Sequence, residues 1–96
     1  NMMKKIQEMQ AQLETKQAEI EQTEFSASAG GGAVEVVVTG AHEIRKIDLK
    51  PDVVDPEDIE MLSDLIIAAA NEAMRKADDA MEQAMGALKG GLNLPF

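Results

Sequence analysis

The chain predicts an α+β domain: a long N-terminal helix, a three-stranded antiparallel sheet and a long C-terminal helix. Three observations carry that reading. Apolar residues in the first stretch recur at heptad spacing, the middle turns to small and β-branched residues cut by glycines, and the last stretch runs without a helix breaker until Gly86. The expected bounds are a single domain over 1–96, with a helix at about 2–21, strands at about 23–29, 33–39 and 42–50, a helix at about 56–89 and a tail at 90–96.

The first helix rests on Met2, Ile6, Met9, Leu13 and Ile20, a narrow seam on a face otherwise rich in Gln, Glu and Lys. Such a seam asks for another helix. Near Thr23 the composition changes to "TEFSASA", then "GGG" at 30–32, then "AVEVVVT". Val34, Val36 and Val38 share one face of a strand, and the glycines supply the reversal before it. Gly40 and Ala41 form the next turn, into "HEIRKIDL". There Ile44 falls on one phase and Ile47 with Leu49 on the other, which predicts a bulge or strong twist near Arg45 and Lys46. The three strands form a meander.

The last helix opens at "DPEDIEML", where Asp55 is placed to cap, Pro56 suits the first turn, and Glu57, Asp58 and Glu60 complement the positive end of the dipole. About 33 residues at 1.5 Å each give a helix of roughly 50 Å. A compact domain of this size has a radius of gyration of about 12–13 Å, so the helix must overhang its sheet. Ile59, Leu62, Leu65, Ile66 and Ala69 are expected to cover a sheet face. Ala70, Ala73, Met74, Ala77, Ala80, Met81, Ala84 and Leu88 read as an arm packed on the first helix and on a second subunit.

Composition narrows the function classes. Ninety-six residues with no cysteine leave a thin core and exclude disulfides, thiolate metal sites and a cysteine nucleophile. The longest apolar run, "LIIAAA" at 65–70, is far short of the roughly 20 residues that span a bilayer. No signal-peptide pattern appears, so a soluble, cytoplasmic protein with no membrane partner is expected. His42 has no partner set for a triad or a metal site. Asp52, Asp55, Glu57, Asp58 and Glu60 lack the spacing of a calcium loop and read as capping acids. Gly30, Gly31 and Gly32 precede a strand and lack the lysine of a phosphate loop. Two phenylalanines and no tryptophan or tyrosine leave no platform for stacking bases. No enzyme and no cofactor is expected.

The cations remain. Lys and Arg number nine against eighteen acids, a formal charge of −9. Lys4 and Lys5 open the first helix, Arg45, Lys46 and Lys50 lie on the third strand, and Arg75 and Lys76 lie mid-helix. Glu72 before Lys76 and Asp79 after Arg75 offer helical pairs. For Arg45 and Lys46 the neighbours Glu43 and Asp48 look less able to compensate, because adjacent strand residues point to opposite faces.

The run "GAHEIRKIDLKPDVVDPEDIEMLSDLIIAAANEAMRKADDAM", together with the Met- and Gln-rich first helix, the "GGG" before a valine strand and the closing "GGLNLPF", resembles the YbaB/EbfC family of bacterial nucleoid-associated proteins. The resemblance covers essentially the whole chain. It implies a homodimer in which a small sheet joins the subunits and paired helices project as arms. It also implies binding of double-stranded DNA with limited sequence preference, a nucleoid location, effects on gene expression, and replication or recombination-repair proteins as further partners. The resemblance implies as well a flexible Met- and Gly-rich tail, which family members often carry ahead of the point where this sequence opens. The family offers no short DNA-reading motif, so the candidate DNA contacts come from charge alone: Lys4, Lys5, Arg45, Lys46, Arg75 and Lys76, each a phosphate contact. The alternative function is a dimeric protein-binding scaffold or chaperone-like clamp, with methionines on its helical arms forming an adaptable groove.

Overall fold

The computed structural model describes residues 1–91. Helix α1 (Met2–Gln22) leads into strands β1 (Glu24–Ala29), β2 (Val34–Thr39) and β3 (Ile44–Leu49), a 3₁₀ turn (Pro51–Val53) and helix α2 (Ile59–Gly91). The tail residues 92–96 lie outside the described part. The sheet is an antiparallel meander in the order β1-β2-β3, so the predicted α+β class holds.

Valine alternation sets the core. Val34, Val36 and Val38 are fully buried on the central strand, with Phe25, Ala27 and Ala29 beside them on β1. Helix α2 closes this layer with Ala69, Ala73 and Ala77, all fully buried, flanked by Leu62, Leu65, Ile66, Ala70 and Met74. Ala73 and Ala77 therefore pack on the sheet, where the sequence suggested an arm contact. Without side chains beyond Cβ they let the helix settle close onto β1 and β2. Ile59, expected in the same layer, is exposed.

The start of α2 also differs from expectation. Asp55 accepts from the amide of Glu57 and its carbonyl accepts from the amide of Asp58, closing a turn over 55–58. Asp58 then accepts from the amide of Met61 and caps the helix. The turn over 55–58 thus comes first, and the second Asp takes over the cap.

Two turns fix the sheet. Gly30, Gly31 and Gly32 all have left-handed φ, at 65, 67 and 91°, a run that only glycine adopts cheaply. At the other end, Thr39 is buried and its hydroxyl accepts from the amides of Ala41 and Glu43. The expected bulge is present: Val37 pairs with Lys46 but Val38 with Ile44, so Arg45 is the extra residue. Skipping Arg45 brings Ile44 into phase with Ile47 and Leu49, on the face of Val34, Val36 and Val38.

That shared face is only partly covered. Helix α2 packs on β1 and β2, and no β3 residue joins the core. Ile44, Ile47 and Leu49 stay 48, 42 and 40% exposed. A helix about 10–12 Å wide spans two strands spaced about 4.8 Å apart, and β3 lies beyond its reach.

The helices leave the sheet from one end. Ile20 lies against Gly40, in the β2–β3 turn, and Asp78 of α2 meets His42 in the same turn. From there α1 and the last part of α2 pack together as an arm, with Met9, Leu13, Met81, Ala84 and Met85 half-buried. The radius of gyration is 18.5 Å and the longest extent 67 Å, well above the compact value of about 12–13 Å.

A Cβ on Gly40 would stand 2.1 Å from the carbonyl oxygen of Ile20 and 2.6 Å from its carbon, both backbone atoms that cannot swing aside. Gly40→Ala is expected to destabilise the fold by about 2–3 kcal/mol. Urea unfolding at a fixed protein concentration measures this, and a midpoint equal to wild type would contradict the close packing of α1 on this turn.

Candidate nucleic-acid interface

The six candidate cations fall into three places. Lys4 and Lys5 sit on the first turn of α1, at the far end of the arm; fifteen residues from Lys5 to Ile20 make about 22 Å of helix. Both are exposed, and among the described residues neither forms an ion pair. Lys50, just after β3, is likewise exposed and unpaired among the described residues. Arg45 and Lys46 stand on β3, and Arg75 and Lys76 on α2 where it crosses the sheet.

The sheet and helix cations are already engaged. Arg45 pairs with Glu43 at 3.4 Å and Lys46 with Asp48 at 3.3 Å. Asp48 lies two positions from Lys46 on β3, the spacing that returns a strand side chain to the same face, whereas Glu43 precedes the strand and meets Arg45 at the bulge. The expectation of weak local compensation is thereby corrected: adjacency was the wrong interval to test. Arg75 pairs with Glu72 one turn before it, where Asp79 was expected. Lys76 pairs with neither Glu72 nor Asp79, and its ammonium donates to the backbone carbonyl of Ser26 at 2.8 Å. Fifty positions separate these two residues, so only the packing of α2 across β1 brings them together.

The sequence offers no partner set for His42. The residue is exposed, yet its Nε2 is hydrogen-bonded to Asp78 Oδ1, tying the β2–β3 turn to α2 at the root of the arm. Its φ of 64° is the one left-handed value among described non-glycine residues. The side-chain link lies 36 positions away in sequence, beyond what spacing reveals. The described residues hold no cluster of His, Asp and Glu fit for a metal ion, and no described helix is long and apolar enough to cross a membrane.

A slender two-helix arm stands on a partly covered sheet, and exposed cations lie on both. The chain belongs to the YbaB/EbfC DNA-binding family, whose model matches residues 1–92. It is 55% identical over 95 residues to a nucleoid-associated protein of Alkaliphilus metalliredigens, covering 99% of this chain and 83% of the relative. A nucleoid-associated protein of Clostridium novyi is 54% identical over the same shares. The fold is shared with the uncharacterized protein HP0035 of Helicobacter pylori, with a TM-score of 0.74, 17% identity, and coverage of 86% of this chain and 87% of that one. The family is one of nucleoid-associated DNA-binding proteins, not of enzymes.

Glu43 and Asp48, the partners of Arg45 and Lys46, are 69 and 53% exposed, which keeps their pairs weak. Double-mutant cycles over Arg45–Glu43 and Lys46–Asp48 are expected to return coupling of about 0.2–1 kcal/mol that shrinks with added salt. A larger, salt-insensitive coupling would mark these arginine and lysine side chains as structural.

Proposed function

We propose that the chain works as a homodimer that binds duplex DNA through its phosphates, with limited sequence preference, and in this way organises the nucleoid and affects gene expression. The observation that carries the DNA reading is the pair of exposed, unpaired lysines, Lys4 and Lys5, at the end of the arm of a chain whose family is a DNA-binding one. Two arms in a dimer would present four such charges. Arg45, Lys46 and Arg75 serve as secondary contacts, because each must exchange a carboxylate for a phosphate. Those exchanges cost little at exposed positions. Lys76 is left out of this set, since its ammonium already holds the Ser26 carbonyl.

Dimerisation is supported by the uncovered half-face of β3. Ile44, Ile47 and Leu49 continue the core layer sideways without a helix above them, and Val54 and Ile59 are exposed nearby in the chain. A second copy offers the same apolar surface, and a self-complementary patch is what a two-fold interface requires. Covering the three β3 side chains adds about 1 kcal/mol each, given that roughly half of each is already shielded.

Met2 and Met3, 79 and 71% exposed, with Ile6 behind them, favour the second reading of a protein-binding clamp. The two readings separate cleanly, because a clamp would bind a denatured protein and ignore added duplex.

Two measurements test the proposal. Ile47→Asp puts an unpaired carboxylate on the interface and is expected to cost about 3 kcal/mol or more of association free energy, so sedimentation should show a monomer; an intact dimer would place the interface elsewhere. Fluorescence anisotropy with a random-sequence duplex over a salt series should give a steep loss of affinity. Replacing Lys4 and Lys5 by alanine should lower that slope by about 2 for each engaged arm. An unchanged slope would remove the arm tip from the contact, and no binding at low salt would favour the clamp.

A further inference from the structure

The sheet has two free edges, and they are treated differently. On β1, the amide of Gly40 donates to the carbonyl of Thr23, one step beyond the Glu24↔Thr39 pair. Hydrogen-bonded and non-bonded pairs alternate along an antiparallel ladder. Phe25, Ala27 and Ala29 therefore turn their N–H and C=O groups toward β2, whereas Glu24, Ser26 and Ser28 turn theirs outward. The central outward carbonyl, that of Ser26, is the one taken by Lys76 at 2.8 Å. A lysine rooted on α2 thus lies across the middle of the β1 edge. Among the described residues the β3 edge has no such cover: Lys46 is turned to Asp48 and Arg45 to Glu43.

The occupant that β1 suits is another β1. Antiparallel pairing about Ser26 would set Ser26 opposite Ser26 of the second copy and Glu24 opposite Ser28, with no like charges facing each other. The strand is regular and free of proline, so apart from Lys76 and the charge of Glu24 little in it resists strand addition. The consequence for assembly is large. If two copies join across β3, both β1 edges become outermost, and a second two-fold contact there would link dimers into an open-ended chain.

We infer that Lys76 closes the β1 edge, and that its hydrogen bond to Ser26 stops a second copy from adding its own β1 and so stops sheet growth at this side. The inference concerns an edge distinct from the proposed dimer face and the proposed DNA contacts. Its test compares each variant with wild type, whatever the mass of wild type proves to be, so failure of the dimer reading would show separately in the wild-type mass.

Lys76→Met keeps the aliphatic stem and removes the donor, and Lys76→Arg keeps a donor. Sedimentation velocity over a wide concentration range should show Lys76→Met forming species larger than wild type, growing with concentration and adding strand signal in the infrared amide band, while Lys76→Arg matches wild type. Ser28→Pro supplies the control. The N–H of Ser28 points outward, so proline there leaves the β1–β2 ladder intact and blocks an incoming strand. Combined with Lys76→Met, it should restore the wild-type mass. A Lys76→Met protein with wild-type mass throughout, or assembly that survives Ser28→Pro, would overturn the inference. The native chain gives an independent reading: the ammonium protons of Lys76 should exchange with water more slowly than those of Lys4, and equal rates would also overturn it.

Discussion

One helix covers two strands of a three-strand sheet, and the rest of the molecule follows from that mismatch of widths. Val34, Val36 and Val38 are fully buried because they occupy the central strand, flanked on both sides and roofed by α2. The β1 residues share the roof. On β3 the same sheet face continues with Ile44, Ile47 and Leu49, but α2 does not cover them. A chain of this length already has a thin core, and leaving a third of its sheet layer uncovered thins it further. The bulge at Arg45 sharpens the point. Without it Ile44 would face the opposite side of the sheet, and the uncovered patch would lose one of its three anchors. The bulge thus completes an apolar surface that the isolated chain does not use.

The second constraint sits at the root of the arm. Backbone meets backbone where Ile20 rests on Gly40, the amide of Gly40 bonds to Thr23, and His42 reaches Asp78. Both helices are therefore fixed to one five-residue turn, braced from within by the buried Thr39 hydroxyl. This gives "GAH" a physical meaning. Glycine is needed for the close approach, and the histidine bridges to α2 from a backbone conformation that costs about 1 kcal/mol or more for a residue with a Cβ. A shift in this turn would swing the arm tip through a far larger arc than the root itself.

Much of this was legible in the sequence wherever a single interval decided the outcome. Valines two apart named the buried face of β2, and the broken parity of Ile44 against Ile47 and Leu49 located the bulge. The overhanging helix followed from length alone. Where two intervals competed, the reading went astray. Asp55 and Asp58 both precede apolar helical residues, and only the turn closed over 55–58 decides between them. Glu72 can reach Arg75 or Lys76, and sequence does not say which. Ala73 and Ala77 announced a close approach but not its partner, which proved to be the sheet. The Lys46–Asp48 pair was available from strand alternation, had the interval of two been applied, but the Arg45–Glu43 pair was not, because Arg45 is the bulge residue. The Lys76–Ser26 and His42–Asp78 contacts were not available at all, since they exist only once α2 has crossed the sheet.

Charge placement resolves the apparent conflict between an acidic chain and a phosphate-binding one. Six of the eighteen acids, Asp52, Asp55, Glu57, Asp58, Glu60 and Asp64, gather where β3 ends and α2 begins. That is the end of the sheet occupied by the glycine turn, where Leu65 lies against Gly30. The arm leaves from the opposite end and carries Lys4 and Lys5 about 22 Å beyond Ile20. At physiological salt the Debye length is about 8 Å, so the acidic end exerts almost no field at the arm tip, and net charge says little about what the tip meets. Net charge still acts on the approach of two such molecules, because like-charged bodies repel at long range. An acidic body with a cationic tip therefore disfavours indiscriminate clustering of the protein while leaving the tip available to an anionic polymer. The local pairs on β3 and α2 engage Arg45, Lys46 and Arg75, whereas Lys4 and Lys5 at the tip form no ion pair among the described residues.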